Sequence, residues 1–220
     1  MTDAGRVTQP LHIDFVADVV CPWCFIGWRR LEKALALRPD VEAEVLWRPY
    51  QLDPSLPEEG VDRKAYMAAK FTDPERRAAM MEALNEAAAG EGLDLKLADI
   101  PISPNTNAAH RLIRWAQGQD LQRQVLEGVL SAYFTELRDI GDPVVLADIA
   151  EKNGMDRMTV LGLLSQGADK DAVTQEHMMA VQAGVTGVPF IVFGGKVAAV
   201  GAEAPERLVM AIDKALEMAA

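Results

Sequence analysis

Residues 11–24 have the sequence LHIDFVADVVCPWC, in which an alternating apolar stretch runs into two cysteines three positions apart. The alternation of apolar and polar residues predicts a β-strand over 11–18. Over residues 23–37 the apolar positions recur at helical spacing, and Pro39 then ends the predicted helix. Residues 41–47 alternate again, so this part of the chain predicts a β–α–β unit with two parallel strands.

Beyond the second strand the chain changes character twice. The proline-rich residues 48–57 predict an irregular linker, and helical patterns then dominate residues 62–183. Strand patterns return at 187–193 and 196–200, where a two-glycine turn predicts a hairpin, and residues 204–218 predict a closing helix. This order indicates an α/β fold in which a four-stranded layer is interrupted by an all-α insertion.

The composition narrows the classes of function. The 220 residues include 22 basic and 33 acidic side chains, giving a formal net charge of −11, and half of the residues are hydrophobic. Such a chain can bury a core, and its acidity argues against a nucleic-acid partner. No apolar stretch approaches the ~20 residues that cross a bilayer, and residues 1–10 lack the features of a secretory signal. We therefore expect a cytoplasmic protein with no membrane partner.

Cysteine usage points to a reactive site. Cys21 and Cys24 are the two cysteines of the chain, too few for a disulfide framework. Zinc needs four ligands, and His12, His110 and His177 show no paired spacing, so we predict no metal site. A structural disulfide and a pair of inert buried thiols remain alternatives, although a reducing cytoplasm disfavours the first.

The position of the cysteine pair favours thiol chemistry. Cys21 falls where the first strand ends and a helix begins, so unpaired backbone N–H groups and the helix dipole would stabilise its thiolate. Cys24 returns over Cys21 across one helical turn, where it could resolve a mixed disulfide. Pro22 suits a first helical turn because its missing N–H would have no intrahelical partner there. The pattern predicts a site of thiol–disulfide exchange.

A wider set of motifs resembles a known family. The segments are DVVCPWC at 18–24, IG at 26–27, RL at 30–31, WRPYQL at 47–52, PNT at 104–106, AHRL at 109–112, RDI at 138–140 and GVTGVPF at 184–190. Together they resemble the DsbA family of thioredoxin-fold oxidoreductases, and within it the FrnE-like cytoplasmic branch, which is related to 2-hydroxychromene-2-carboxylate isomerases and kappa-class glutathione transferases. The resemblance implies a thioredoxin-like domain over 11–50 and 184–220, with a helical domain, 51–183, inserted between the second and third strands.

The resemblance also implies roles for single residues. Cys21 would be the nucleophile and Cys24 the resolving cysteine. Pro189 takes the place of the family's cis-proline, and the backbone of Val188 would face the sulfur of Cys21, where an extended peptide can pair with it. From the residues alone, Val188-Pro189 is equally well the start of an edge strand.

Five further residues are candidates for substrate contact. Pro22 and Trp23 lie between the cysteines, and the resemblance places Asn105, Thr106 and His110 on the face of the insertion that overlooks them. The alternative for Asn105 and Thr106 is to cap the helix that begins there, and the alternative for Trp23 is to pack on the insertion. His110 is either a proton shuttle or a histidine satisfied at the domain junction.

Two positions of the cysteine motif refine the functional expectation, and one methionine pair bears on packing. Trp23 stands where strongly oxidising periplasmic members of the family have histidine, so we expect a redox couple less oxidising than the about −120 mV of DsbA. The isomerase and transferase relatives carry serine where Cys21 stands, which favours dithiol chemistry here. In the helical block, Met80-Met81 is expected to fill core or interdomain space rather than line a groove.

These features predict a thiol–disulfide oxidoreductase or isomerase that acts on protein or small-molecule disulfides. No bound cofactor is expected, and glutathione stays open as a co-substrate. Two alternatives remain: a glutathione-dependent isomerase or transferase, and a non-catalytic holdase that binds unfolded peptides. The sequence leaves both a monomer and a homodimer open.

Overall fold

The chain alternates between a mixed sheet and a long helical stretch. The computed structural model describes residues 10–219. Residues 1–9, for which no secretory signal is expected, lie outside the described range. In chain order the elements are β1 (Leu11–Ala17), α1 (Pro22–Ala36), β2 (Ala43–Pro49), β3 (Val61–Asp62), α2 (Arg63–Lys70), α3 (Pro74–Gly90), β4 (Ile102–Ser103), α4 (Asn107–Gln117), α5 (Gln122–Phe134), α6 (Pro143–Lys152), α7 (Arg157–Ser165), α8 (Lys170–Gln182), β5 (Phe190–Phe193), β6 (Val197–Val200) and α9 (Pro205–Glu217). Within residues 10–219, no helix has the length and apolar character needed to cross a membrane.

The main sheet has the strand order β2-β1-β5-β6. Strand β1 lies in its interior, parallel to β2 and antiparallel to β5, and β6 pairs with β5 as a hairpin. Ile13 and Phe15, on one face of β1, are fully buried, as the alternation over 11–18 predicts. The parallel pair expected from the β–α–β unit is therefore present.

Strand β2 extends further than the sequence pattern predicts. The linker was expected from residue 48, but Arg48 and Pro49 belong to β2 and pair in register with Val16 and Ala17. Because β2 is an edge strand, it has a partner on one side, where a proline can end the strand without breaking an interior ladder. The assignment of residues 48 and 49 to an irregular linker was therefore wrong.

Helices α2 to α8 occupy the chain between β2 and β5, which are the second and third strands of the main sheet along the chain. The same region contains a small antiparallel sheet in which Val61 pairs with Ser103 and Asp62 with Ile102. The insertion is thus not the purely α-helical unit that the sequence predicted. The sequence did not indicate these strands because two residues are too short to show an alternating pattern. The domain limits at residues 50/51 and 183/184 remain a prediction.

Helix α1, which begins directly after Cys21, connects the sheet to the insertion. Phe25 meets Phe134 at the end of α5, with 5.8 Å between the ring centroids. Trp28 Nε1 donates a 2.7 Å hydrogen bond to the Glu127 carboxylate, also on α5. Burial of aromatic rings and a charge-assisted hydrogen bond together fix the cysteine-bearing helix against the insertion.

Gly27 allows the loop before β5 to approach α1 closely. A Cβ atom at this position would lie 2.9 Å from Cγ of Pro189 and 3.5 Å from Cα of Ala202. A proline ring and a backbone atom can move away only with difficulty. Glycine within a helix costs roughly 0.5–1 kcal/mol relative to alanine, and here the close packing explains its presence.

We predict that Gly27→Ala destabilises the protein by about 1–3 kcal/mol, because the added methyl group overpacks against Pro189. Gly162 in α7 is the matched control, since no neighbouring atom lies within 4 Å of its Cβ position. Gly162→Ala should stabilise by about 0.5–1 kcal/mol through helix propensity. Urea unfolding of both variants measures the two changes, and changes of the same sign would contradict the close approach at Gly27.

Candidate active site

Cys21 is the N-cap residue of α1, with φ −88° and ψ 113°. Its carbonyl accepts hydrogen bonds from the backbone N–H groups of Cys24 and Phe25, and Pro22 occupies the first turn. That turn, residues 22–25, contains no acidic side chain. The Cys21 thiol is therefore at the positive end of the helix dipole, with no carboxylate in the turn to oppose its thiolate.

A cavity of about 210 Å³ opens at Cys21, and we call it the thiol cavity. Its wall combines residues around the cysteine motif with residues of the insertion. They are Asp18, Val20, Cys21, Pro22, Trp23, Leu52, Asp53, Leu56, Arg63, Tyr66, Met67, Lys70, Phe71, Met80, Met81, Leu84, Leu97, Ser103, Pro104, Thr106 and Tyr133. Pro22 and Trp23 are thus in positions from which they can contact a bound substrate.

The two thiols differ in accessibility. Both are reduced, but Cys21 is 5% exposed and lines the thiol cavity, whereas Cys24 is fully enclosed. Burial raises the pKa of the Cys24 thiol well above its ordinary value. The adjacent Cys21 and the charge of Asp18 raise this pKa further, and a hydrogen bond from the Asp18 backbone lowers it. Cys24 is therefore a protonated thiol shielded from solvent, next to a thiol that a ligand can reach.

The loop before β5 faces Cys21. The Val188–Pro189 peptide bond is cis, as the resemblance implies. Residues 187–189 precede β5, which corrects the strand predicted to begin at 187. The Cys21 thiol donates to the Val188 carbonyl oxygen, with 3.8 Å between Sγ and O. The backbone of Val188 thus lies beside the sulfur.

Asp18, three residues before Cys21, is a buried carboxylate held by two donors. Its Oδ2 accepts a 2.7 Å hydrogen bond from the Leu52 backbone N–H, and its Oδ1 lies 3.2 Å from Nε2 of His110. Trp47 Nε1, which can only donate, lies 3.3 Å from Nδ1 of His110. The pattern assigns the ring proton of His110 to Nε2, which donates it to Asp18.

His110 does not line the thiol cavity. It is 1% exposed, and both of its ring nitrogens have hydrogen-bond partners. This arrangement favours a histidine satisfied at the junction over a shuttle that must reach a substrate. Across residues 10–219, no three side chains of the types His, Cys, Asp and Glu are grouped to hold a metal ion.

Asn105 and Thr106 lie in different environments. Asn105 accepts a 3.0 Å hydrogen bond from the Asn107 backbone N–H and donates a 2.7 Å bond to the Leu56 carbonyl, and it does not line the thiol cavity. Thr106 makes no side-chain cap to α4. Its Oγ1 accepts a 3.5 Å hydrogen bond from the Gln51 amide, and the residue lines the cavity. Capping therefore fits Asn105, and Thr106 faces the cavity instead.

Several residues of the cavity wall were missed by sequence reasoning. Met80 and Met81 line the thiol cavity, whereas their pattern was expected to indicate filler. Arg63, Tyr66 and Met67 of α2 also line it. No motif marks α2 or α3, and their helical spacing looks the same for a cavity wall as for a core. Only the tertiary fold brings these residues to the same cavity as Cys21.

The chain is similar to known proteins over most of its length. A family model described as "DSBA-like thioredoxin domain" matches residues 12–213. The chain is 28% identical over 188 residues to the uncharacterized protein YwbO of Bacillus subtilis (strain 168), a match that covers 85% of this chain and 88% of that protein.

Two solved structures extend the likeness. One is a probable DsbA oxidoreductase, SCO1869, from Streptomyces coelicolor, with a TM-score of 0.87, 29% identity, and coverage of 94% of this chain and 90% of that one. The other is the cytosolic disulfide reductase DsbM of Pseudomonas aeruginosa with GSH, with a TM-score of 0.63, 16% identity, and coverage of 95% and 97%. The second likeness is one of fold alone. These matches confirm the thioredoxin fold, and the chain belongs to the family of DSBA-like thioredoxin domains.

Proposed function

We propose that this chain is a thiol–disulfide oxidoreductase in which Cys21 attacks and Cys24 resolves disulfides of proteins or small molecules. The observation that carries the proposal is the unequal placement of the thiols. Cys21 lies at a helix N-terminus on the thiol cavity, and Cys24 is enclosed one turn later. A pair of inert thiols or a structural disulfide would need neither the cavity nor this asymmetry.

In the first step, the Cys21 thiolate attacks one sulfur of the substrate disulfide. A bond forms between Cys21 and that sulfur, and the other half of the substrate leaves as a thiolate. The positive end of α1 stabilises the attacking charge. When Cys21 is deprotonated, the Val188 carbonyl loses the thiol donor that it has in the reduced protein. The carbonyl can then accept a backbone N–H from an extended substrate.

In the second step, Cys24 loses its proton and attacks Cys21, which releases the substrate as a second thiolate and leaves a Cys21–Cys24 disulfide. The contact with Cys21 and the charge of Cys21 are two of the causes that raise the pKa of Cys24. Formation of the mixed disulfide removes both causes, so the first step prepares Cys24 for the second. The order of the two attacks is thereby built into the site.

The proposal extends to the setting of the reaction. We infer a cytoplasmic protein without membrane partners, and glutathione as the co-substrate that exchanges with the dithiol. We also infer that nucleic acid is not a partner, which the net charge of −11 supports. The direction of electron flow follows from the reduction potential of the Cys21–Cys24 couple relative to that of the glutathione pool. Either a monomer or a homodimer accommodates this chemistry.

We predict that Cys24→Ser loses turnover in an insulin-reduction assay, down to the level of Cys21→Ala, because the mixed disulfide cannot be resolved. Mass spectrometry without reductant should then find substrate bound to Cys21 in Cys24→Ser and none in Cys21→Ala. Full insulin turnover by Cys24→Ser would contradict the resolving role of Cys24. A glutathione-dependent isomerase or transferase would instead show no insulin reduction by the wild type above the level of Cys21→Ala, and its own reaction would tolerate Cys24→Ser. Capture of unfolded chains that survives Cys21→Ala without any turnover by the wild type would favour a holdase.

We predict that the reduced protein loses stability as the pH rises above 9.0, which is the ordinary pKa of a cysteine thiol such as Cys24. The unfolded chain releases the Cys24 proton near that pH, while the folded protein keeps it because its pKa is raised, so higher pH favours unfolding. The stabilisation is complete below the unfolded pKa, falls by about 1.4 kcal/mol per pH unit between the unfolded pKa and the raised folded pKa, and does not change further above the folded pKa.

Urea unfolding near pH 7 and near pH 10 with a reductant measures this loss. Between the two pH values, the free energy of unfolding of Cys24→Ala should fall less than that of the wild type, by the contribution of the Cys24 thiol. Burial also raises the pKa of Tyr133, to about 12, but this contribution is the same in both proteins and cancels. An identical pH dependence in the two proteins would contradict the protonated, buried Cys24.

A further inference from the structure

Arg63 brings a positive charge to the wall of the thiol cavity. Its Nη1 donates a 3.1 Å hydrogen bond to the Tyr133 hydroxyl, and its guanidinium carbon lies 5.9 Å from the centroid of that ring. Burial raises the pKa of Tyr133 to about 12, so this partner is a neutral phenol. Among the described residues, Nε and Nη2 of Arg63 have no hydrogen-bond partner and no carboxylate pairs with the side chain. The planar fork is available for a bidentate anion.

The other charged side chains on the cavity wall each have at least one hydrogen-bond partner. Lys70 Nζ donates a 2.8 Å hydrogen bond to the Tyr66 hydroxyl, which donates a 3.0 Å bond to Asp53. Asp18 accepts from a backbone N–H and from His110. Lys70 keeps two further N–H donors, but it is exposed and presents a single point charge. Arg63 is half-buried and presents a planar pair of donors, so its geometry is the one that matches a carboxylate.

The rest of the insertion side of the cavity is largely apolar. Its side chains include Met67, Phe71, Met80, Met81, Leu84 and Leu97. A volume of about 210 Å³ accommodates a small molecule or a single bulky group. Thioether and aliphatic walls adapt to flat or irregular apolar bodies.

We propose that the thiol cavity selects small disulfides that carry an apolar body and a carboxylate, with Arg63 pairing with the carboxylate while Cys21 attacks the sulfur. This inference rests on the proposed thiol–disulfide exchange. The Cys21 thiolate bonds to one sulfur of the ligand, and the other half leaves as a thiolate. Cys24 gives its proton to the first leaving thiolate or to water, and its thiolate then bonds to Cys21 and expels the held half as a second thiolate. Two electrons thus pass from the dithiol to the ligand.

The test compares two aromatic disulfides in single-turnover reactions with the reduced protein. Dithiobis(nitrobenzoate) carries a carboxylate on each ring, and dithiodipyridine is neutral. The released thiol gives the second-order rate constant for each. We expect Arg63→Gln to lower the ratio of the two constants, charged over neutral, about tenfold, which is the loss of one charge-assisted hydrogen-bonded pair.

Lys64→Gln is the matched control, because it removes the same charge from the adjacent, exposed residue of α2, which does not line the cavity. It should leave the ratio unchanged. A ratio that does not fall in Arg63→Gln, or that falls equally in both variants, would overturn the assignment, since net charge alone would then account for it. Circular dichroism establishes that both variants are folded.

A failure of the proposed function would look different. The wild type would then release no more than one thiol from dithiodipyridine per chain, or would form no Cys21–Cys24 disulfide. That result overturns the exchange reaction and the inference with it. Release of two thiols per wild-type chain together with formation of the Cys21–Cys24 disulfide, but with an unchanged ratio in Arg63→Gln, would overturn the inference alone.

Discussion

The buried carboxylate of Asp18 is the group on which the arrangement of the site depends. Asp18 is 1% exposed, and an unpartnered charge there would cost several kcal/mol. Its donors are the backbone N–H of Leu52, after β2, and Nε2 of His110, on α4. Satisfying this one carboxylate therefore requires the end of β1, the linker and the insertion to meet within a few residues of Cys21.

The unequal thiols follow from that meeting. The insertion packs on the first turn of α1 through Phe25 and Phe134. In the same turn, Cys24 is fully enclosed, and burial raises its pKa. The thiol cavity lies beside this turn, and Thr106 and Arg63 line it together with Cys21. The region around the first turn of α1 thus contains both the protonated thiol of Cys24, which acts in the second step, and the cavity in which a substrate meets Cys21.

Sequence patterns predict the parts of this protein whose causes are local. The β–α–β unit, the hairpin and the position of Cys21 at a helix start are readable because strand alternation, helical spacing and thiol chemistry act over a few residues. Pro49 in β2 depends on that strand being at an edge, and the short strands β3 and β4 depend on pairing across the insertion. The cavity wall formed by Met80 and Arg63 is set by tertiary packing, for which no local pattern exists.

The unequal reactivity of the two thiols is tested most directly by alkylation. The reduced, folded protein is treated with a limiting amount of iodoacetamide, and peptide mass spectrometry locates the modified cysteine. We expect one modification, on Cys21, with Cys24 reacting only after the protein is unfolded. Modification of Cys24 first, or of both cysteines at equal rates in the folded protein, would contradict the division into an attacking and a resolving cysteine.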